Sequence, residues 1–145
     1  MEYKWIDPNR NMEMMTGVLS LYETIFGDSA GLLERMKTKY NLLILVAIYE
    51  EKVVGFKMGY ELEKHKFYSW LGGVDQEYRN KGIGSTLMTM QHQILKERGY
   101  KIVQTKTKNK WKQMLILNLK HGFDIIGTYT DNKGESKIIL EKKLK

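Results

Sequence analysis

The apolar positions of this chain fall into segments of two periods. Between residues 11 and about 26, Met14, Met15, Val18, Leu21, Tyr22 and Ile25 recur at helical spacing, which predicts an amphipathic helix. Gly27, Asp28 and Ser29 interrupt it. Asp28 or Ser29 is placed to cap a second helix through about residue 39, with Leu32, Leu33 and Met36 on its apolar side. Residues 42–49 form a continuous apolar run, as expected of a strand buried on both faces. Residues 53–63 alternate instead. Val54, Phe56, Met58, Tyr60 and Leu62 fall on one face, and Gly55, Lys57, Gly59, Glu61 and Glu63 on the other. His65 and Lys66 turn the chain into residues 67–74, so these three segments read as an antiparallel meander. Ile83, Leu87, Met88, Gln91, Ile94 and Leu95 predict a helix to about residue 98, stopped by Gly99. Residues 101–107 read as a strand. Residues 111–120 read as a helix with Met114, Leu115 and Leu119 inward and Gly122 at its end. Residues 123–130 and 136–141 form a last hairpin across the turn at 131–134, and residues 1–6 a short edge strand before the turn at Asp7-Pro8-Asn9. The many methionines, Met12, Met14 and Met15 among them, read as core filler.

One junction carries chemistry. The string Val74-Asp75-Gln76-Glu77-Tyr78-Arg79-Asn80-Lys81-Gly82-Ile83-Gly84-Ser85 connects an extended segment to a helix start. A helix start has unpaired N–H groups and the positive end of the helix dipole. Gly82 and Gly84 leave that backbone uncovered, so a phosphate oxygen can reach it, and Arg79 and Lys81 add two cations. The physical reading is a pyrophosphate cradle. A dinucleotide fingerprint requires a third glycine where Leu87 stands, and no P-loop string is present.

The complete string, with Arg79-Asn80-Lys81-Gly82-Ile83-Gly84 at its centre, closely resembles the acetyl-CoA signature R/Q-x-x-G-x-G/A of the GNAT N-acetyltransferase superfamily. The order of predicted elements is also that of the GNAT fold, so the resemblance spans nearly the whole chain. It implies a single α/β domain over residues 1–145, with a mixed sheet of six to seven strands flanked by about four helices. It implies acetyl-CoA as co-substrate, held by Gly73, Val74, Arg79, Asn80, Lys81, Gly82, Ile83, Gly84, Ser85 and Asn118, and transfer of the acetyl group to a primary amine, small molecule or peptide. Many GNAT enzymes carry a tyrosine four residues before a Gly-Phe pair, which protonates the leaving thiolate. Here Asn118 precedes Gly122-Phe123, and an amide can hydrogen-bond the cofactor but cannot act as a general acid. A carboxylate on the strands beside the cleft serves as base in several relatives. Glu61 is the candidate here, because Gly59 beside it leaves room for a ligand. The acceptor site is expected around Tyr22, Phe26 and Tyr68, and an oxyanion donor at the backbone of Gly73 or Val74, with a bulge at Gly72-Gly73 splaying the strands.

Composition narrows the rest. There is no cysteine, which excludes a thiolate nucleophile, thiolate metal ligands and disulfides. His65, His92 and His121 show no metal-ligand spacing and read as surface or turn residues, so no metal is expected. No apolar run is long enough to span a membrane, and the first residues show no signal-peptide pattern, so a cytoplasmic location is expected. The net charge of +7 favours an anionic partner, a polyanionic cofactor or a nucleic acid. Lys106, Lys108, Lys110 and Lys112 around Trp111 are the feature a nucleic-acid-binding domain would use. A solvated strand edge guarded by lysines is the favoured reading, because one aromatic makes no stacking platform. A homodimer is compatible with the sequence.

Overall fold

The computed structural model describes every residue from Met1 to Lys145. In chain order the strands are β1 (Glu2–Ile6), β2 (Leu43–Tyr49), β3 (Lys52–Glu63), β4 (Lys66–Val74), β5 (Ile102–Lys108), β6 (Asp124–Thr130) and β7 (Ser136–Lys143). The helices are α1 (Met12–Phe26), α2 (Leu32–Lys37), α3 (Ile83–Glu97) and α4 (Lys112–Lys120). The strands make one seven-stranded sheet in the order β1-β2-β3-β4-β5-β7-β6. Every neighbouring pair is antiparallel except β4 and β5. This is the mixed sheet with four helices that the sequence implies. No helix is long and apolar enough to cross a membrane.

The sheet separates two cores. Ile44, Val46 and Ile48 of β2 join Phe56 and Met58 under α1 and α2. Leu43, Leu45 and Ala47 join Phe67, Leu87, Met88, Val103 and Leu140 under α3. The apolar run of β2 thus feeds both layers, as its lack of alternation predicts. The alternation expected for β3 holds only in part. Ala47 pairs with Gly55 but Ile48 with Val53, so Val54 is an extra residue. That bulge reverses the sidedness: Val54 joins the α3 layer, while Phe56 and Met58 face α1.

Four local expectations are corrected. The second helix is short and starts after Gly31, whose φ of 84° is left-handed. Asp28 instead accepts the Ala30 N–H at 2.8 Å in a local turn, and Leu33 is exposed. On α4, Met114 and Leu119 face outward, and Asn118 is the one buried residue. Met12 is exposed, whereas Met15, Met36, Met58 and Met88 fill the cores. His92 is a buried residue, not a surface one.

Candidate active site

The site begins where two parallel strands part. β4 and β5 pair only at Lys66–Ile102, Phe67–Val103 and Tyr68–Gln104. Beyond that, β5 stays with β7 through Lys108, and β4 stays with β3 through Val74. The Thr105 hydroxyl donates to the Ser69 carbonyl at 3.1 Å, the last bond before the gap. The bend has a local cause. Met58 pairs with Leu71 and Gly59 with Ser69, so Trp70 is an extra residue in β4. A bulge bends its strand and raises its twist, which carries β4 away from β5. The expected bulge at Gly72-Gly73 therefore lies at Trp70, while Gly72 and Gly73 remain in register with Lys57 and Phe56.

A Cβ on Gly73 would stand 2.6 Å from Ile25 Cδ1 of α1, the tip of a side chain that would have to turn aside. Its backbone is also committed. Asp75 N–H donates to Val54 O at 2.8 Å. By antiparallel alternation Gly73 N–H also faces β3, whereas the N–H groups of Gly72 and Val74 face the gap. Of the two oxyanion donors expected, Val74 is available and Gly73 is not.

The string after β4 forms a single 3-10 turn, Gln76–Tyr78, closed by the Asp75 carboxylate on Glu77 N–H at 3.0 Å. The chain then swings through Asn80 (φ 64°) and Gly82 (φ 81°) into α3. α3 has no side-chain cap and no acidic residue in its first turn. Its first intrahelical bond is Thr86 N–H to Gly82 O at 2.9 Å, so the N–H groups of Gly82, Ile83, Gly84 and Ser85 remain free. Nothing lies within 4 Å of a Cβ built on Gly82, and one on Gly84 would meet only Leu117 at 3.6 Å and Val74 at 3.9 Å. Ile83 contributes backbone alone. Its side chain is buried against Gly55, where a Cβ would come within 2.9 Å of Ile83 Cγ2. That close approach seats the helix start on the sheet. Arg79 donates from Nε to Val74 O at 3.2 Å, and Lys81 lies 5.5 Å from the Tyr78 ring centre, so both cations are held on the segment that leads into α3. Four open donors, a helix dipole and two cations fit a pyrophosphate.

α4 closes the other side of the gap. Asn118 is 3% exposed and lies on α4, whose Leu117 approaches Gly84. The Ser85 hydroxyl is within 2.8 Å of His121 Nε2, a bond that ties α4 to the first turn of α3. Beneath lies a polar group without carboxylates. Lys142 Nζ stands 3.1 Å from His92 Nδ1 and donates to it, and burial with Lys142, Lys57 and His121 nearby pushes His92 down to about 3. His121 is lowered by burial first and then by Lys142 and Lys57, so both imidazoles are neutral. Burial pushes Lys57 down to about 8. Gln91 is wholly buried, and neither of its amide atoms has a partner. Sequence reading passed over Thr105, Lys57, His92 and His121 as site components. The one available signal was Lys57, a lysine set between two glycines on a strand face.

The expected catalytic carboxylate is not brought to the gap. Glu61 accepts from the Tyr100 hydroxyl at 2.8 Å and from Asn41 Nδ2 at 3.3 Å, beside Arg98 and Gly99 at the far end of α3. It anchors the chain after α3, at the opposite end of the helix from the cradle. Tyr68 does stand at the fork, as the last β4 residue paired with β5. Burial, with Tyr60 and Tyr129 adding to it, pushes its hydroxyl up to about 12, so it stays protonated. Tyr22 is buried with its ring 5.0 Å from Phe26, which is exposed on the same helix. Lys106 and Lys108 lie on the part of β5 that has left β4 and pairs only with β7, so they stand on an open strand edge inside the sheet. Lys108 and Lys110 bind Glu135 at 2.9 and 3.4 Å, and Lys108, Lys110 and Lys137 crowd Trp111 at 4.9 to 6.0 Å. Glu135 thus neutralises two of the lysines around this single exposed ring, and nothing supports the nucleic-acid reading.

Residues 41–125 match the family described as acetyltransferase (GNAT) domain. No curated protein matches the chain by sequence. Among solved structures, an aminoglycoside 6'-acetyltransferase type Ii superposes with a TM-score of 0.86 at 19% identity, covering 100% of this chain and 98% of that one. An aminoglycoside 6'-N-acetyltransferase complexed with coenzyme A gives 0.84 at 16% identity, with the same coverage of 100% and 98%. The ribosomal-protein-S18-alanine N-acetyltransferase from Escherichia coli gives 0.81 at 15%, covering 99% and 93%.

Proposed function

Because the chain belongs to the acetyltransferase (GNAT) domain family, we propose that it moves an acetyl group from acetyl-CoA to a primary amine by direct attack within a ternary complex. The observation that carries this reading is the fork between β4 and β5, opening directly beside an uncapped helix start with four free N–H groups. The pyrophosphate of acetyl-CoA would rest on the backbone of Gly82 to Ser85, with Arg79 and Lys81 beside it. The thioester arm would enter the gap, where the Gly72 and Val74 N–H groups supply donors for the developing oxyanion.

The chemistry follows from what the chain holds. With no cysteine, the acetyl group cannot rest on an enzyme sulfur, so the amine nitrogen attacks the thioester carbon itself and the CoA thiolate leaves. Asn118 positions the reactants through its amide, and the thiolate takes its proton from solvent. The carboxylates beside the fork on β7 and its turn, Glu141 and Glu135, are already bound to Lys66 and Lys108. The ammonium proton of the acceptor therefore leaves through water. The acceptor is a small-molecule or peptide amine, the class on which the compared enzymes act by name.

Titration calorimetry with acetyl-CoA tests the reading. Saturable binding, with an accompanying rise in melting temperature, is expected. Wild-type protein that shows no saturable binding overturns it.

A further inference from the structure

On the face of the sheet away from α3, cations and aromatic rings alternate across the mouth of the fork. Arg35 lies 5.8 Å from the Trp70 ring centre, and Lys39 lies 5.0 Å from Trp70 and 4.7 Å from Tyr60. Tyr60 contacts Tyr68 at 5.4 Å between ring centres. Lys106 then stands 5.8 Å from Tyr68 and 5.2 Å from Tyr129. Tyr68 is the last β4 residue joined to β5, and Trp70 is the bulge residue that opens the gap. α1 and α2 cover β1 to β4 on this face, and no helix covers β5, β7 and β6. The belt thus runs from α2 across the strands that part at the fork.

The charges of the belt are one-sided. Arg35, Lys39 and Lys106 have no carboxylate partner. Three carboxylates of the last hairpin are taken: Glu141 by Lys66 at 2.6 Å, Glu135 by Lys108 at 2.9 Å and Asp131 by Lys137 at 3.9 Å. A polycationic acceptor would need the reverse, free carboxylates and paired lysines. Uncompensated cations grouped on one surface attract anions and repel like charge. The rings hold the cationic heads in place and offer flat apolar contact to a small molecule.

We infer that the acceptor is a small amine that also carries an anionic group, seated on the belt formed by Lys39, Arg35 and Lys106, and that a polycationic amine such as an aminoglycoside is disfavoured. The inference rests on the acetyl-transfer reading and adds a substrate class to it.

The test measures acetyl-CoA-dependent thiol release by the full chain with matched amines. The pairs are L-phenylalanine against its carboxamide and phosphoethanolamine against ethanolamine, with kanamycin as the polycation. The anionic member of at least one pair is expected to show the higher kcat/KM, and the preferred pair identifies the group as carboxylate or phosphate. Lys106→Glu should raise KM for that substrate by about tenfold or more and narrow or invert the preference, as reversal of an unpaired charge at a binding surface does. Lys106→Met, which keeps the stem, should raise KM less. Acetyl-CoA affinity by calorimetry should be unchanged in both. Equal rates within every pair, preference for the neutral member or for kanamycin, no turnover of any anionic amine, or an unaltered preference in Lys106→Glu overturns the inference while acetyl-CoA binding leaves the acetyl-transfer reading standing. Loss of acetyl-CoA binding in the wild type removes both.

Discussion

Thr105 donates its hydroxyl to the Ser69 carbonyl at 3.1 Å, at the point where β4 and β5 cease to pair. Both residues are buried, so the bond replaces the strand-to-strand bond that the bulge at Trp70 removes. Thr105→Val keeps the shape and leaves the carbonyl unsatisfied, which costs about 1–3 kcal/mol for a buried acceptor. The urea midpoint should fall accordingly. Thr105→Ser restores the donor and should recover most of the loss.

Gly84 and Gly82 differ in what they tolerate. Gly84 is helical and a Cβ there meets only ordinary contacts, so Gly84→Ala should keep acetyl-CoA binding. Gly84→Glu places a carboxylate over the free N–H groups and should abolish it. Gly82 has a φ of 81°, so Gly82→Ala should lower stability by about 1 kcal/mol through backbone strain. Calorimetry of the three variants, with thermal melts, separates the two effects.

Asn118 and Glu61 should part company in kinetics. Asn118→Ala should lower turnover by roughly one to two orders of magnitude, the scale of a misplaced reactant, and keep the shape of the pH profile because no titrating group is lost. Glu61→Ala removes the acceptor of the Tyr100 hydroxyl and should lower the urea midpoint, with the pH–rate profile intact. A profile that shifts in Glu61→Ala would return Glu61 to the chemistry.

His92 sets an acid limit. Its value falls from the ordinary 6.5 to about 3, so between these pH values the unfolded chain binds a proton that the folded chain refuses. Stability therefore falls as pH drops through that window, by about 1.4 kcal/mol per pH unit for one proton. His92→Gln keeps an acceptor for Lys142 and removes the titration. Its melting temperature should fall less than that of the wild type between pH 7 and pH 5.

The sequence by itself determined the order and type of the elements, the all-apolar strand buried on both faces and the helix start that can hold a phosphate. Each of these is local: a period, a turn residue or a glycine pair acts over a few neighbours, and Gly82-Ile83-Gly84 leaves the same donors free in any fold that starts a helix there. The tertiary structure decided the rest. Two bulges, at Val54 and Trp70, changed which side chains share a face, because a single extra residue reverses every position that follows. The second of them opened the fork. Glu61 looked available beside Gly59, but Gly59 serves the close packing of Phe67 and the Tyr68 backbone, and Tyr100, thirty-nine residues away in sequence, takes the carboxylate. The same non-local pairing decided which charges remain free. Lys108 and Lys66 find carboxylates contributed by the last hairpin, and Lys39 and Lys106 find only rings. Periodicity carries no information about such partners, because they meet only when the sheet forms.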